Sequence, residues 1–384
     1  MNRKRVLKRT NCPMLDLTML LCLVTTFLLS AGCAYAKEQK ASSDSTKSDW
    51  TSVCKLPEQH ALNSFITPMM NGAEGTLIIA FTDGKHHVCR AYGDASRTAD
   101  QDTIFEIGSI TKVFTSLLMI DLWKDGKLNL DDPVEKFLPQ DVVVPKLNGK
   151  SITLFQLATH TSGLPANPDN LDRYQKYGKV EFHEFLSRCK LESAPGSKYS
   201  YSNTGYRLLG EALEFALQKP YEEALTEHIL NPLQLDDTRI TVPEEKISRL
   251  AQGYGPDGKK VPNSAQTGGP AGGLKSTAEN LLSFLDAAIA APRASVPKAG
   301  SPDAITDLIA ESCKHRFEIS RDLSSCLGWL RSNREDCYYK NGQIHGFSTC
   351  VEFSARKRFG MVVLSSTLQI NAEALLKKLR KRFN

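Results

Sequence analysis

The sequence predicts an α/β (α+β) protein with one antiparallel sheet, built from both ends of the chain and flanked by helices, beside a mainly helical lobe. Three observations predict this class. Runs of strand-forming residues occur before residue 108, they return after residue 313, and helical periodicity dominates between them. Over 384 residues, 41% are apolar and 24% are charged, so the chain has enough apolar side chains for a substantial core.

The first part of the predicted sheet is a hairpin. A helix-like run over residues 56–70 precedes it. The segments GTLIIAF and HHVCRAYG are rich in strand-forming residues, and the Asp83-Gly84 pair between them is a tight-turn signal. We therefore expect one helix followed by two paired strands.

The middle of the chain is predicted to be mainly helical. Apolar residues recur at helical spacing over residues 109–123. The segment LNLDDPVEKFLP is expected to begin another helix, because an aspartate cap precedes a proline in its first turn. Glycine-rich segments such as GGPAGGLKST are predicted loops. Six more stretches have helical character, namely residues 153–160, 182–190, 203–217, 221–230, 276–290 and 303–312.

Strand signals return after Cys313. They lie in the segments SCLGWLRS, DCYYKNG, FSTCVEFS and FGMVVLSS, and an amphipathic helix over residues 371–382 closes the chain. We expect residues 51–384 to form one domain, with an α/β lobe of about 51–108 and 313–384 and a helical lobe of about 109–312. A small substrate would bind in the cleft between the lobes.

The N-terminus is predicted to be an export signal. Residues 1–32 combine five early basic residues with an apolar run over residues 17–29. Two cleavage sites compete: the segment LSAGC resembles a lipobox that would make Cys33 the lipidated first residue, whereas the next segment, AYA, would release a soluble protein. An uncleaved anchor is a third alternative. Residues 33–50 form a polar linker. We expect an exported protein of the periplasm or cell envelope, with a membrane tether through Cys33 slightly favoured.

The net charge and the cysteine and histidine content indicate which binding partners, metals and disulfides are expected. The full chain has a net charge of +5, and removal of residues 1–32 takes away five basic residues and one acidic residue, so the mature protein is near neutral. A nucleic-acid partner is therefore not expected. Seven cysteines follow Cys33, and Cys326 and Cys337, which flank a predicted hairpin, are the best candidate disulfide pair in an oxidising compartment. The histidines show no metal-ligand spacing, so neither a metal nor a cofactor is expected.

The candidate chemistry begins with Ser109 and Lys112. Ser-x-x-Lys occurs five times, but only at Ser109 does it open a long apolar helix. A helix N-terminus offers unpaired N–H groups and positive potential, which stabilise an oxyanion and an ionised serine. Lys112 lies one turn further on, on the same helix face. The plain alternative is a helix cap with an exposed lysine.

A lysine with the reference pKa of ~10.4 is a poor base at neutral pH. Burial and a second nearby cation would lower the pKa of Lys112 and free its amine to accept a proton. Lys340, in the predicted strand segment YYKNGQIHGF, is the candidate for that cation. The alternative for Lys340 is an edge-strand lysine that discourages aggregation.

A third segment, KYSYSNTGYRLLG, places Tyr201 and Asn203 directly before a helical run. A tyrosine held among lysines is expected to have a lowered pKa and to relay protons. An asparagine amide can hold both a lysine amine and a substrate amide. The alternative is a turn in which Asn203 only caps the helix. His160, in the segment ATHTSG, is predicted to be a structural hydrogen-bonding residue.

The segments GSITK, YSYSNTG and KNGQIHGF, in this order, resemble the three active-site boxes of penicillin-recognising serine enzymes. The flanking segments ITLFQLATHTSGLP, LNLDDPVEKFLP and GGPAGGLKSTAENLLSF agree with this resemblance. From about residue 56 to its end, the chain looks most like class C β-lactamases and AmpH-type D-alanyl-D-alanine carboxypeptidase/endopeptidases. The resemblance implies a β-lactamase/transpeptidase-like fold.

The resemblance also implies a role for each matching residue. Ser109 would be the acylated nucleophile and Lys112 its proton acceptor. Tyr201 would assist proton transfer to the leaving nitrogen and activate the deacylating water. Asn203 would orient the substrate and the lysine, and Lys340 would attract a substrate carboxylate.

The third box is also the predicted substrate-binding strand, through Asn341, Gly342 and Gln343. Backbone N–H groups of Ser109 and Gln343 would form the oxyanion hole, in which loss of one donor typically costs ~10²–10³ in rate. Asn341 stands where the family usually has threonine, and Gln343 begins a bulkier stretch than the family usually has. These departures bear on substrate choice more than on mechanism.

Four functions fit this reading. The first is a cell-wall peptidase acting on the D-alanyl-D-alanine stem peptides of peptidoglycan, and the second is a class C-type β-lactamase hydrolysing β-lactams. The third is a small-ester esterase, and the fourth is a non-catalytic wall-binding lipoprotein on the same fold. We place the peptidase first, because the AmpH-like flanking segments and a membrane anchor suit work at the cell wall.

Overall fold

The computed structural model describes residues 59–93, 99–168, 178–262, 269–291 and 304–383. The predicted export signal, the linker and Cys33 lie outside the described residues, as does Cys54. Within the described ranges, no helix has both the length and the apolar character needed to cross a membrane.

Both ends of the described chain contribute to one eight-stranded antiparallel sheet. Its strands are β1 Thr76–Thr82, β2 His87–Gly93, β5 Phe317–Ser320, β6 Leu323–Ser325, β7 Leu330–Ser332, β8 Cys337–Ile344, β9 Phe347–Ser354 and β10 Phe359–Ser365. The spatial order is β2-β1-β10-β9-β8-β7-β6-β5, so the first strand pairs with the last. A separate pair joins β3, Phe105–Glu106, to β4, Lys275–Ser276.

The described α-helices cover both faces of this sheet. They are α1 Gln59–Met70, α2 Thr111–Lys124, α3 Leu154–Ala158, α4 Lys179–Arg188, α5 Asn203–Leu217, α6 Tyr221–Leu225, α7 Gly269–Gly272, α8 Ala278–Ala290, α9 Ala304–Ser312 and α10 Ala372–Phe383. The helices α1 and α10 pack on one face, and the remaining helices form a layer on the other face. This arrangement is the predicted fold class.

Strand alternation divides the buried side chains between two cores. In β1, Leu77, Ile79 and Phe81 pack with α1 and α10, whereas Ile78 and Ala80 pack with the helical layer. All seven residues of β1 are buried, because both faces of the sheet are covered. Each fully buried large aliphatic or aromatic side chain contributes about 1.5–3 kcal/mol, so the two cores fix the sheet between its helical layers.

Several predicted elements are confirmed and two are wrong, one of which is the predicted loop GGPAGGLKST, since this segment contains α7. The β1–β2 hairpin turns at Gly84, whose φ of +92° suits glycine, and α5 begins and ends at the predicted residues. The segment LNLDDPVEKFLP contains only the 3₁₀ turn Val134–Phe137 instead of a helix. Its carbonyl groups bond elsewhere, since Leu130 O accepts from Phe155 N at 2.8 Å and Asp132 O accepts from Leu154 N at 3.2 Å. A helix would need those acceptors for itself.

The predicted Cys326–Cys337 disulfide is wrong. Both side chains are free thiols, and they lie on different sides of the sheet, too far apart to be joined. Cys326 is buried in the core beneath the helical layer, whereas the Sγ atom of Cys337 accepts from Arg380 Nη1 of α10 at 3.3 Å. The sheet therefore separates the two thiols.

Candidate active site

Ser109 lies in a 3₁₀ turn, Gly108–Ile110, that leads directly into α2. Gly108 has φ +53°, and a Cβ atom there would lie 3.0 Å from the backbone N of Gln343, so this position favours glycine. Thr111 Oγ1 fixes the turn, because it donates to Gly108 O at 2.7 Å and accepts from Leu274 N at 3.1 Å. The turn therefore holds the half-buried serine against the end of β8.

Lys112 is fully buried behind this serine. Its Nζ atom lies 3.0 Å from Ser109 Oγ and 2.8 Å from Asn203 Oδ1, and it donates to the carbonyl oxygen of Ala271 in α7. Burial lowers the pKa of Lys112 well below its usual value, and the neighbouring charge of Lys340 lowers it further. Both causes are those predicted from the sequence, and together they favour a neutral amine.

Tyr201 approaches the serine from the other side. Its hydroxyl donates to Ser109 Oγ at 2.5 Å, and the Nζ atoms of Lys112 and Lys340 lie 4.9 Å and 5.1 Å from the centre of its ring. The prediction of a lowered pKa is wrong, because burial raises the pKa of Tyr201 although the hydrogen bond with Ser109 lowers it. With its pKa raised in this way, Tyr201 is a protonated donor.

Asn203 is the first residue of α5, but it does not cap that helix. The cap is Ser202, whose side chain accepts from Gly205 N at 2.9 Å. This leaves the Asn203 amide available, and it accepts from Lys112 through Oδ1 and donates through Nδ2 to Asn167 Oδ1 at 2.9 Å. Asn203 therefore links the lysine to the segment around Asn167.

His160 supports Tyr201 from behind, as a structural hydrogen-bonding residue. Its Nδ1 atom accepts from the backbone N of Ser202 at 3.1 Å, and its ring centre lies 4.5 Å from that of Tyr201. Burial lowers the pKa of His160 well below its usual value, with further lowering by Lys340 and Lys112. The imidazole is therefore neutral.

Lys340 lies on β8, with only 2% of its surface exposed. Burial lowers its pKa to about 8. Near neutral pH the ammonium form therefore predominates at Lys340, whereas the lowered pKa of Lys112 shifts its amine toward the neutral form. The site thus pairs one amine that can accept a proton with another that supplies positive charge.

The strand β8 has a free edge beside the serine. In the described part of the chain, β7 pairs only as far as Tyr339, so the backbone of Lys340 to Ile344 pairs on one side with β9 alone. A Cβ atom on Gly342 would lie 2.0 Å from Ile107 O and 2.5 Å from Thr349 Oγ1, so only glycine allows this approach. An extended substrate can add to such an edge through its backbone.

The three residues predicted to bind substrate lie in three different environments. Gly342 is buried against the serine turn, and Gln343 is exposed beside it. Asn341 is opposite Cys350 in the β8–β9 register, and Cys350 belongs to the core beneath α10. Directly opposite residues share a face, so Asn341 lies on the sheet face opposite that of Lys340.

Two contributors to the site were missed by the sequence reasoning. The carbonyl of Ala271 lies in a helical turn within a segment predicted to be a loop, and Asn167 follows a Pro-Ala pair without any motif of its own. The glycines around Ala271 indicated close backbone approach, which could have identified that segment. Asn167 gave no such signal.

The fold and the grouping of a serine, two lysines and a tyrosine define a penicillin-recognising serine hydrolase. The model of the family described as Beta-lactamase matches residues 62–382, so the chain belongs to the beta-lactamase family. The chain is 29% identical over 311 residues to D-alanyl-D-alanine-carboxypeptidase/endopeptidase AmpH of Escherichia coli K12, covering 77% of this chain and 80% of that relative.

Two further comparisons agree with this assignment. A Beta-lactamase of Yersinia enterocolitica is 30% identical over 288 residues, covering 73% of this chain and 70% of the relative. The crystal structure of a Beta-lactamase/D-alanine Carboxypeptidase from Yersinia pestis superposes with a TM-score of 0.68 at 25% identity, covering 85% of this chain and 98% of that one. The β-lactamase/transpeptidase-like fold and the assignment as an enzyme are thereby confirmed.

Proposed function

We propose that the protein is a D-alanyl-D-alanine carboxypeptidase/endopeptidase that cleaves cell-wall peptides through an acyl-serine intermediate. The observation that carries this proposal is the buried Lys112 amine 3.0 Å from the hydroxyl of Ser109. The Asn203 and Ala271 oxygens can only accept hydrogen bonds. A neutral amine that donates both N–H groups to them directs its lone pair at the serine proton.

In the proposed acylation, Lys112 accepts the proton of Ser109 as Oγ forms a bond to the substrate carbonyl carbon. The backbone N–H groups of Ser109 and Gln343 stabilise the oxyanion. As the C–N bond breaks, the leaving nitrogen receives a proton through the Tyr201 hydroxyl, which Lys112 then reprotonates. In deacylation, a water molecule attacks the ester and its proton returns along the same path.

The proposed substrate is a peptide that ends in D-alanyl-D-alanine. A free terminal carboxylate suits the positive charge of Lys340, and an extended peptide suits the open edge of β8. The name of the Escherichia coli relative, which shares 29% of its residues with this chain over the matched region, points to the same substrate class. In this proposal Asn203 and the backbone N–H group of Gln343 orient the peptide around the scissile bond, whereas the predicted role of Asn341 in substrate binding is wrong, because its side chain lies on the other face of the sheet.

A β-lactamase is the second candidate function. The 30% identical relative from Yersinia enterocolitica carries the name Beta-lactamase. The Tyr201 hydroxyl donates to Ser109 Oγ, which is the atom that leaves when water hydrolyses the acyl-serine ester. The two candidates share the acylation step and differ in how fast the ester is hydrolysed.

We also propose that residues 1–32 direct export, that residues 33–50 link the domain to a lipidated Cys33, and that residues 51–384 form the catalytic domain. A dedicated wall enzyme needs access to peptidoglycan in the periplasm or cell envelope. Radiolabelled palmitate incorporation that is lost in Cys33→Ser would support the lipid tether, whereas release of an unlabelled protein cut after Ala36 would contradict it.

One experiment tests the catalytic proposal. The purified protein is incubated with a fluorescent penicillin, and the labelled serine is mapped and its loss of label timed. The peptidase proposal expects durable label on Ser109, with release of D-alanine from a muropeptide. Rapid loss of label with fast nitrocefin turnover favours the β-lactamase. Ser109→Ala should abolish both activities, and a variant that stays active would exclude Ser109 as the nucleophile.

A further inference from the structure

Cys313 and Cys326 are free thiols in the structure and lie side by side, although 13 positions separate them in the sequence. The Sγ atom of Cys326 is 3.4 Å from the carbonyl oxygen of Cys313. Two backbone hydrogen bonds bracket the pair, since Leu327 N donates to Ser312 O and Arg316 N donates to Ser325 O, both at 3.0 Å. Segments bonded in this way lie about 5 Å apart, within the range that a disulfide spans.

We propose that Cys313 and Cys326 form a disulfide in the exported protein. The other described cysteines of the sheet are poor partners for Cys326. Cys337 and Cys350 lie on the face beneath α10, and Cys89 is on β2, at the opposite end of the strand order from β6. The proposal relies on the proposed export only for oxidising surroundings, which its test supplies directly.

The bond would form by exchange with a small disulfide such as oxidised glutathione. One cysteine thiolate attacks the oxidant, releases one thiol and forms a mixed disulfide. The second thiolate attacks that mixed disulfide, releases the second thiol and leaves the Sγ–Sγ bond. Each cysteine loses one proton and one electron, and the oxidant is reduced to two thiols.

The surroundings of the pair indicate when exchange would take place. Burial raises the pKa of the Cys313 thiol and raises that of Cys326 to about 12, so both are protonated in the folded chain. Thiolates are the reactive species, so exchange in the folded chain would be slow. Pairing during folding is therefore favoured. Cys313 also lines a surface cavity of about 380 Å³, through which a small disulfide can reach it.

The bond would secure the segment that supports the helix carrying Lys112. A Cβ atom on Gly328 would lie 2.7 Å from the Cα of Val113 and 2.9 Å from the carbonyl oxygen of Lys112, so this segment lies directly against α2. Ser325 Oγ also donates to Thr159 O at 3.2 Å, next to His160. Linking Cys326 to the end of α9 would therefore hold this support in place.

Peptide mapping tests the linkage. The full chain is unfolded under reducing conditions, refolded with oxidised and reduced glutathione, alkylated with iodoacetamide and digested with trypsin without reduction. The proposal expects a linked pair of peptides, residues 299–314 joined to residues 322–331. Alkylation of both cysteines, or linkage of Cys326 to another cysteine, would overturn it. Penicillin labelling is not involved, so a negative result here leaves the catalytic proposal standing.

Thermal melting tests the supporting role. Closing a loop of this length is expected to raise the Tm of the oxidised protein by about 4 °C over the same protein in dithiothreitol. Cys313→Ser and Cys326→Ser should each remove this difference, whereas Cys89→Ser should keep it. Comparing oxidised and reduced forms of each variant separates the bond from any effect of serine in the core. Equal Tm values for the oxidised and reduced wild-type protein would show that the disulfide does not stabilise the domain.

Discussion

The Nζ atom of Lys112 lies 3.0 Å from the Oγ atom of Ser109, at a point where no part of the lysine is exposed to solvent. Tyr201 donates to the same Oγ atom, which leaves the serine's own proton available to the lysine. Since burial and the charge of Lys340 both lower the pKa of Lys112, the amine is suited to receive that proton.

Replacing the amine by a permanent cation should therefore stop acylation. Lys112→Arg introduces a guanidinium that stays charged and cannot accept a proton near neutral pH, so we expect penicillin labelling to slow by ~10²–10⁴. Stopped-flow fluorescence measures this rate, and thermal melting checks that the variant is folded. Lys127→Arg, which changes an exposed lysine paired with Asp125, is the control. Labelling of folded Lys112→Arg at the wild-type rate would remove Lys112 as the base.

The pH profile should have a falling limb set by Lys340. Lys340 has a pKa of about 8 and is an ammonium below this value and a neutral amine above it. For a peptide with a free terminal carboxylate, kcat/KM should therefore decrease as pH rises through about 8. The rising limb at lower pH should report loss of the proton from Lys112. In Lys340→Arg the guanidinium stays charged, so a fall near pH 8 that persists in this variant would assign that limb to another group.

Tyr201 should act as a donor whose ionisation is not required. Tyr201→Phe removes the 2.5 Å hydrogen bond to Ser109 while keeping the ring close to both lysines, and we expect at least a ~10²-fold slower turnover. Tyr199→Phe is the matched control, because the Tyr199 ring packs edge-on against His160, with the ring centres 5.7 Å apart. Steady-state hydrolysis of a D-alanyl-D-alanine peptide measures the effect. Equal losses in the two variants would indicate a general packing effect.

Adding one methyl group to β8 should separate the strand from the serine turn. In Gly342→Ala the new Cβ atom would meet Ile107 O at 2.0 Å, so the strand must move, and we expect a loss of about 1–3 kcal/mol in the free energy of unfolding. Acylation should slow as well, because Gln343 moves with the strand. Gly272→Ala, whose Cβ atom meets only ordinary contacts at 3.6 Å, is the control in denaturant melts and penicillin labelling. Wild-type behaviour of Gly342→Ala would show that the close approach is not required.

Local signals predicted much of this fold. The alternating strands around Gly84 and the apolar periodicity of α5 depend on residues close together in the sequence, and both elements form as expected. The segment LNLDDPVEKFLP has equally good local helix signals. It fails to form a helix because α3, some 20 residues later, takes its carbonyl groups as hydrogen-bond acceptors.

The candidate site likewise has features that could be predicted from the sequence and features that could not. Motifs identified the residues that lie around Ser109, and the need for a second cation led to Lys340. The contribution of Ala271 is a backbone oxygen, which no side-chain motif can indicate. The raised pKa of Tyr201 depends on how deeply its hydroxyl is buried, and the separation of Cys326 from Cys337 depends on which sheet face each one occupies. These properties arise only from the tertiary arrangement.

The pairing of β1 with β10 has a consequence for how the protein is made. The register from Leu77 with Ser365 to Thr82 with Gly360 joins the earliest strand to one that a ribosome completes nearly 300 residues later. Until that stretch is available, β1 and the hairpin it forms with β2 have no neighbour on their open edge. A polypeptide that ends shortly before residue 359 would contain the whole Ser109 segment but lack β10, so it could not assemble the eight-stranded sheet. Stop codons in this part of the gene should therefore yield protease-sensitive fragments without activity.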